Sequence, residues 1–196
     1  APGYFDVVCY TGTNSAMTLS HNLSAIPEMM WIKKRDASDD WAVYHSGIGN
    51  TKTLFLNVTN GSSSKIYWNN ATPTATQFYL GDHSKVSGAN DYIAFLFASL
   101  DGVSKVGGFS HTNGSATNVD CGFSNGARFI LIKLSSGTSD WRVYDTVRGI
   151  ASGNDAYLNL NETTQQNSGD FVDPLSSGFT VTDNYDSGAY IFYAIA

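Results

Sequence analysis

PEMMWIKKRDASDDWAVYH, residues 27–45, and ARFILIKLSSGTSDWRVYD, residues 127–145, are one pattern written twice, one hundred positions apart. Lys33 aligns with Lys133, Asp40 with Asp140, Trp41 with Trp141, Val43 with Val143 and Tyr44 with Tyr144, without a gap. Each copy opens on a continuous apolar run, Met29-Met30-Trp31-Ile32 or Phe129-Ile130-Leu131-Ile132. Such a run suits a central strand buried on both faces or at an interface. The register extends outward with small indels. Tyr10-Thr11 matches Phe109-Ser110, Leu56-Asn57 matches Leu158-Asn159, Tyr92-Ile93 matches Tyr190-Ile191, and Ala98 matches Ala196. The chain therefore reads as a duplicated unit of roughly 95 residues, with repeat one at 4–98 and repeat two at 106–196. Residues shared by the copies are the first suspects for holding the fold.

The remaining apolar stretches are short, β-branched or aromatic, and bounded by Gly, Asn, Asp or Ser, which is the signature of strands. Strands are predicted in the first copy at 5–10, 16–20, 28–34, 41–44, 53–56, 77–80 and 92–98. In the second they fall at 105–110, 117–120, 128–134, 142–144, 156–160, 179–182 and 189–195. Asn60-Gly61, Asn113-Gly114, Asn125-Gly126 and Asp101-Gly102 supply turn chemistry between them. Six or seven strands do not easily close a good core alone, whereas pairing two copies face to face buries the apolar side of both. The expected architecture is all-β: one domain over 1–196, a jelly-roll-like β-sandwich of two repeated units. Two beads on a string is the alternative.

The 196 residues are 42% hydrophobic and only 14% charged, with a net charge of -6. Solubility then rests on hydroxyl and amide groups, and with no basic stripe a nucleic-acid backbone is excluded as partner. No apolar run approaches the ~20 residues of a membrane span. The chain starts at Ala1, so a processed end and a fragment boundary both fit. Cys9 and Cys121 occupy unmatched places and are expected as two buried free thiols rather than a disulfide.

The chemistry-bearing side chains are sparse. Glu28 and Glu162 are the only glutamates, and no strand carries the paired carboxylates that flank a glycosidic bond. Asp39 and Asp40 are neighbours and would point to opposite faces of a strand. His21, His45, His83 and His111 lack metal-ligand spacing and are expected as solvated imidazoles. No catalytic residue, metal ligand or cofactor is expected, although the Asp36, Asp39, Asp40 loop and the Asp183, Asp186 loop leave calcium open. Asp40, before Trp41, is expected to cap a turn by accepting backbone N–H bonds. Trp41 and Trp141 recur and are expected in equivalent, largely buried places. Trp68 has no counterpart and stands beside Asn69 and Asn70. An aromatic plate next to amides grips sugar rings, so Trp68, Asn69 and Asn70 form the candidate ligand site. The other reading makes Trp68 a plug at the sandwich edge.

Tyr10-Thr11-Gly12, His21-Asn22-Leu23, Pro27-Glu28-Met29, Lys33-Lys34-Arg35-Asp36 and Asp40-Trp41-Ala42-Val43-Tyr44-His45 form a motif set with Tyr67-Trp68-Asn69-Asn70 and the strand Tyr92-Ile93-Ala94-Phe95-Leu96-Phe97-Ala98. Together they resemble a domain-of-unknown-function family of virion and tail-fibre-like proteins in tailed bacteriophages of marine bacteria and cyanobacteria. The resemblance covers both copies but carries no activity. The second copy departs from it, with Leu134-Ser135-Ser136 for Lys34-Arg35-Asp36 and Asp145 for His45. The resemblance implies a non-enzymatic protein on the virion surface, a tail-fibre or receptor-binding module. A capsid decoration protein and a lectin-like carbohydrate-binding module are the alternatives. The implied partners are other virion proteins, a host surface glycan or receptor, and further copies of the chain, a trimer first. The loops least shared between copies, 60–64, 68–74 and 82–90, are the candidates for partner contact.

Overall fold

Short runs of β-branched and aromatic residues between turn formers fold as strands. A computed structural model describes residues 1–196 and contains seventeen strands, no α-helix and one 3-10 turn at Ser46–Ile48. No helix is long and apolar enough to cross a membrane. The chain divides into two compact units, Ala1–Ser99 and Leu100–Ala196.

The first unit holds β1 (Phe5–Thr11), β2 (Met17–Ser20), β3 (Met29–Lys34), β4 (Ala42–His45), β5 (Lys52–Phe55), β6 (Ser63–Ser64), β7 (Gln77–Leu80) and β8 (Asp91–Phe97). One sheet runs β1-β8-β3-β4-β5-β6, and β2 pairs with β7 in a second. The second unit holds β9 (Ser104–His111), β10 (Thr117–Asp120), β11 (Phe129–Leu134), β12 (Arg142–Asp145), β13 (Asp155–Asn159), β14 (Asn167–Gly169), β15 (Val172–Leu175), β16 (Gly178–Val181) and β17 (Gly188–Ile195). Its large sheet runs β9-β17-β11-β12-β13-β14 and its small one β10-β16-β15. Every named pairing is antiparallel, and the two large sheets share one strand order. The quoted stretches form the same hairpin in the same register, Met30 opposite Tyr44 and Ile130 opposite Tyr144.

Each unit closes its own core between its large and small sheets, which the sequence reading had thought difficult. In the first, Phe78 and Leu80 from β7 meet Met30, Ile32, Ala94 and Leu96. In the second, Val119, Phe179 and Val181 meet Ile130, Ile132, Phe192 and Ala194. Aromatic side chains supply the missing volume, since each buries a large apolar area. Tyr10 stacks on Tyr92 at 5.0 Å, and Phe109 on Tyr190 at 5.2 Å. The apolar runs lie mid-sheet as expected, with Met29, Met30 and Ile32 of β3 and Ile130, Leu131 and Ile132 of β11 all buried.

All the predicted strands are present, those at 77–80 and 117–120 with the expected bounds and the rest with shifted ends, and the structure adds β6, β14 and β15. Ser63-Ser64 and Asn167-Ser168-Gly169 are polar, and β15 contains Pro174. These are edge strands, where a residue without an N–H is tolerated and few side chains need burial.

One alignment needs correction. Asn57 Oδ1 accepts the Trp41 N–H (2.9 Å), and Asn161 Oδ1 accepts the Trp141 N–H (2.8 Å). The Asn57 amide then donates to Asp40 (2.9 Å) and the Asn161 amide to Asp140 (2.8 Å). Leu56-Asn57 therefore corresponds to Leu160-Asn161, not to Leu158-Asn159. The connection between β12 and β13 is longer than that between β4 and β5, and the sequence offset absorbed too little of the difference. The expected turn cap is likewise redistributed: the asparagine serves the Trp N–H, and the aspartate holds the asparagine.

The shared lysine has a structural role. Lys33 Nζ donates to the Asp39 carbonyl (2.6 Å), and Lys133 Nζ to those of Ser139 (2.8 Å) and Leu134 (2.9 Å). Both amines tie a hairpin loop to the end of a central strand. Lys133 is fully buried, and that burial pulls its ammonium down to about 8, against the attraction of Asp140. The folded value lies below the unfolded one near ~10.4, so between them the native state binds fewer protons and stability rises with pH. This contribution is fully present above ~10.4 and lost as pH falls through about 8. Cys121, whose thiol burial pushes up to about 12, acts in the opposite sense. The diagnostic is therefore the difference between the parent and Lys133→Met in denaturant titrations from pH 7.5 to about 9.5. The parent is expected to gain on the variant as pH rises. Parallel curves would show that Lys133 does not titrate in this window.

Candidate functional site

The sequence-predicted site does not assemble as a sugar platform. Trp68 is 0% exposed, its ring edge-on to Tyr44 at 5.6 Å, and its indole N–H donates to the Lys52 carbonyl (2.8 Å). No face is left for a ligand to stack on, and the burial matches the plug reading. Asn69 and Asn70 are exposed turn residues with φ of 52° and 51°, in the left-handed region that asparagine tolerates. Asn69 and Asn70 are thus exposed while the Trp68 ring beside them is buried. Trp41 and Trp141 share their backbone clamp but differ in burial: Trp141 is buried, whereas Trp41 is half-buried and stacks on Phe95 at 6.2 Å.

The Asp-rich loop of the first unit is an ion-pair network. Asp39 pairs with Lys34 (2.9 Å) and with Lys85, and Asp40 pairs with Lys85 (2.8 Å). Burial alone would raise the Asp39 carboxyl, but hydrogen bonds from Lys85 and Lys34 outweigh it and hold it well below the usual carboxylate range. The Lys85 ammonium also lies over the Phe55 ring at 5.6 Å. Of the carboxylates considered for calcium, Asp39 and Asp40 are thus engaged by lysines, and Asp36 accepts the Asp91 N–H (3.0 Å). No group of three or more His, Cys, Asp or Glu side chains is placed to hold a metal. Lys85, from the β7–β8 connection, was not foreseen, because nothing in its local sequence signals a partner 45 residues away.

The histidines correct a second expectation. His21, His45 and His111 are buried; Nδ1 of His111 lies 2.9 Å from the Thr117 hydroxyl, and the other imidazoles complete turns. Nδ1 of His21, His45 and His83 accepts the N–H of Leu23 (3.2 Å), Gly47 (3.0 Å) and Lys85 (3.2 Å) respectively. Asp145 replaces His45 in the second unit and does the same for Val147 (3.0 Å) and Arg148 (2.9 Å). His83 is exposed at one edge but packs at a tilt against Tyr67, 4.4 Å between ring centroids; burial and the nearby Lys65 and Lys85 lower its pKa. Cys121 is buried as expected, whereas Cys9 is exposed. Cys9 lies on edge strand β1, where Val7, Cys9 and Thr11 alternate outward.

The second unit contains a groove of about 350 Å³. Its walls are the turn at 124–127, the end of β15 with the start of the β15–β16 turn at 174–176, and Thr146 and Ile150 from the connection after β12. The Gly126 N–H donates to the Ser176 carbonyl (2.7 Å), the Ala127 N–H to Gly178 (2.9 Å), and the Cys121 N–H to Ser177 (2.8 Å). These bonds tie the two turns together. Gly126 has φ of 78°, and a Cβ there would lie 2.9 Å from the Leu175 carbonyl oxygen. Both facts demand glycine. The same place in the first unit holds Ile26, half of it exposed. Asn125-Gly126 had been read as a turn, but turn chemistry alone does not signal a groove.

A family model described as "Domain of unknown function (DUF7483)" matches residues 2–196, nearly the entire chain. The chain belongs to the DUF7483 family. No curated protein and no solved structure is significantly similar to it. Within this DUF7483 domain, the groove combines the hydroxyls of Ser124, Thr146 and Ser176 and the Asn125 amide with the apolar walls of Ile150, Pro174 and Leu175. It contains no charged lining residue. Of the charged residues that adjoin it in the chain, Asp145 pairs with Arg148, Asp173 accepts the Gly153 N–H (3.4 Å), and Arg128 is exposed.

Proposed function

We propose that this DUF7483 domain is a non-enzymatic surface component of a tailed-bacteriophage virion, acting as a tail-fibre module that contacts the host surface. One observation carries the reading. The two units keep the same sheet order and the same Lys, Asp-Trp and Asn clamp, yet differ in their connections. That pattern fits a duplicated scaffold whose invariant part holds loops and whose variable part makes contacts. The motif resemblance to phage virion proteins supports the setting. The carboxylates support a role without chemistry: Asp39 and Asp40 are bound to lysines, and Asp140 to an asparagine.

The test is immunogold labelling of intact virions with antibody against the chain, paired with binding of the fluorescent full-length chain to host cells. Label on tail fibres and saturable cell binding, competed by unlabelled chain, are expected. Label spread over the head with no cell binding would overturn the receptor reading in favour of capsid decoration. Absence of label from virions would overturn the virion assignment itself.

A further inference from the structure

We propose that the groove between the 124–127 turn and the β15–β16 turn is a binding site for a neutral saccharide unit. The proposal deepens the host-contact reading and rests on it for biological meaning, but its physical basis is the groove alone.

Size is the first argument. About 350 Å³ lies at the small end of ligand pockets, which run from ~300 to ~1,000 Å³. A single sugar ring with part of a neighbour suits that space, and a large cofactor does not. Charge is the second. An anionic or cationic ligand loses hydration on entry and needs an opposite charge to replace it. The groove lining has none; of the charged neighbours in the chain, Asp145 is paired with Arg148, Asp173 accepts a backbone N–H, and Arg128 is not among the lining residues. Polarity is the third. Ser124, Asn125, Thr146 and Ser176 are exposed, and although the Asn125 amide donates to the Ser124 hydroxyl (3.4 Å), a purely apolar ligand would cover these groups without replacing their water. A sugar meets both demands: its hydroxyls match the amide and hydroxyl rim, and its C–H face matches Ile150 and Pro174.

Preorganisation is the fourth argument. The walls are joined by backbone hydrogen bonds through a glycine that tolerates no side chain, so binding costs little ordering of the protein. The first unit provides an internal contrast. Its corresponding turn reads Ala25-Ile26-Pro27, and a branched apolar side chain stands where the second unit has Gly126. One unit has exchanged an amide and an opening for bulk, so the lining is not a by-product of the fold that both share. Without an aromatic platform the affinity is expected to be weak for a single ring. Repetition of the chain on a particle would compensate by avidity.

The probe set is the methyl glycosides of glucose, galactose, mannose and N-acetylglucosamine, with glucuronic acid and glucosamine as charged controls. Binding to the full-length chain is read by saturation-transfer NMR and by chemical-shift perturbation. The expected result is transfer to at least one neutral glycoside, little to the charged controls, and shifts confined to residues around 124–127, 146–150 and 174–176. Thr146→Trp, which fills the groove from an exposed position, is expected to abolish the signal. Asn125→Ala is expected to weaken binding about tenfold, one lost hydrogen bond. Both are expected to melt like the parent, and Asn70→Ala on the first unit is expected to bind normally. No transfer from any neutral glycoside, or binding that survives Thr146→Trp, would overturn the proposal. So would preference for a charged control. The host-cell assay separates the two levels. Cell binding retained by Thr146→Trp removes the groove but keeps the surface module. Glycoside binding by a chain that ignores host cells keeps the groove and removes the module.

Discussion

Trp68→Ala is expected to destabilise the protein by about 3–5 kcal/mol, the range for truncating a fully buried aromatic. The indole is 0% exposed and lies edge-on to Tyr44 at 5.6 Å and to Tyr67 at 6.4 Å. Alanine would leave a cavity among those rings and would strip the Lys52 carbonyl of its indole N–H. Trp68→Phe should lose less, because it keeps most of the volume and forfeits mainly the hydrogen bond. Chemical unfolding followed by far-UV circular dichroism measures both. A Trp68→Ala chain that unfolds like the parent but no longer binds cells would restore the surface-plate role read from the sequence.

Arg142→Ala is the second large expected effect, about 2–4 kcal/mol. The guanidinium projects from β12 into three rings, 4.3 Å from the centroid of Phe171, 5.0 Å from Tyr185 and 5.3 Å from Tyr157. Such contacts contribute roughly 0.5–2 kcal/mol when shielded from water, and the side-chain stem packs as well. No carboxylate pairs with it among the salt bridges, and its Nε is buried without an acceptor. Removing the charge while keeping the volume should therefore be milder, so Arg142→Met is expected to fall between the parent and Arg142→Ala. Arg142→Lys should be nearly as harmful as alanine, because an ammonium is more strongly hydrated and cannot stack as a plane. If lysine matched arginine, charge alone would be the determinant and the ring geometry incidental.

Arg142 also shows where reading a repeat stops. It aligns with Ala42, and a charged residue in that position suggests a solvated strand end. The structure turns it inward because Tyr157, Phe171 and Tyr185 together offer a face that accepts a cation. In the first unit Tyr67 and Trp68 take up the corresponding task of filling space. Two solutions to one packing problem left no trace in the aligned pairs. Trp68 misled for the same reason: an aromatic beside two asparagines looks alike whether its ring faces solvent or the core. Asn69 and Asn70 are adjacent in sequence, but each adopts the left-handed conformation, which turns the chain away from the buried indole.

The all-β class, the strands that carry dense β-branched and aromatic residues, and the paired hairpins around Lys33 and Lys133 were legible in the residue pattern alone. Those features follow from local preference and from burial patterns that recur every second residue. The residue pattern also marked Asp40, Trp41 and their second copies as structural, which the Asn57 and Asn161 clamps explain. The remaining features emerged with the folded chain. It placed Lys85 between two aspartates, buried three histidines, two of which finish turns, paired the polar edge strands, and opened a groove between two segments some fifty residues apart in the chain. Each of these depends on groups brought together through space. Hydrogen-bond and ion-pair partners are selected by three-dimensional proximity, and a groove is defined by the atoms that do not fill it.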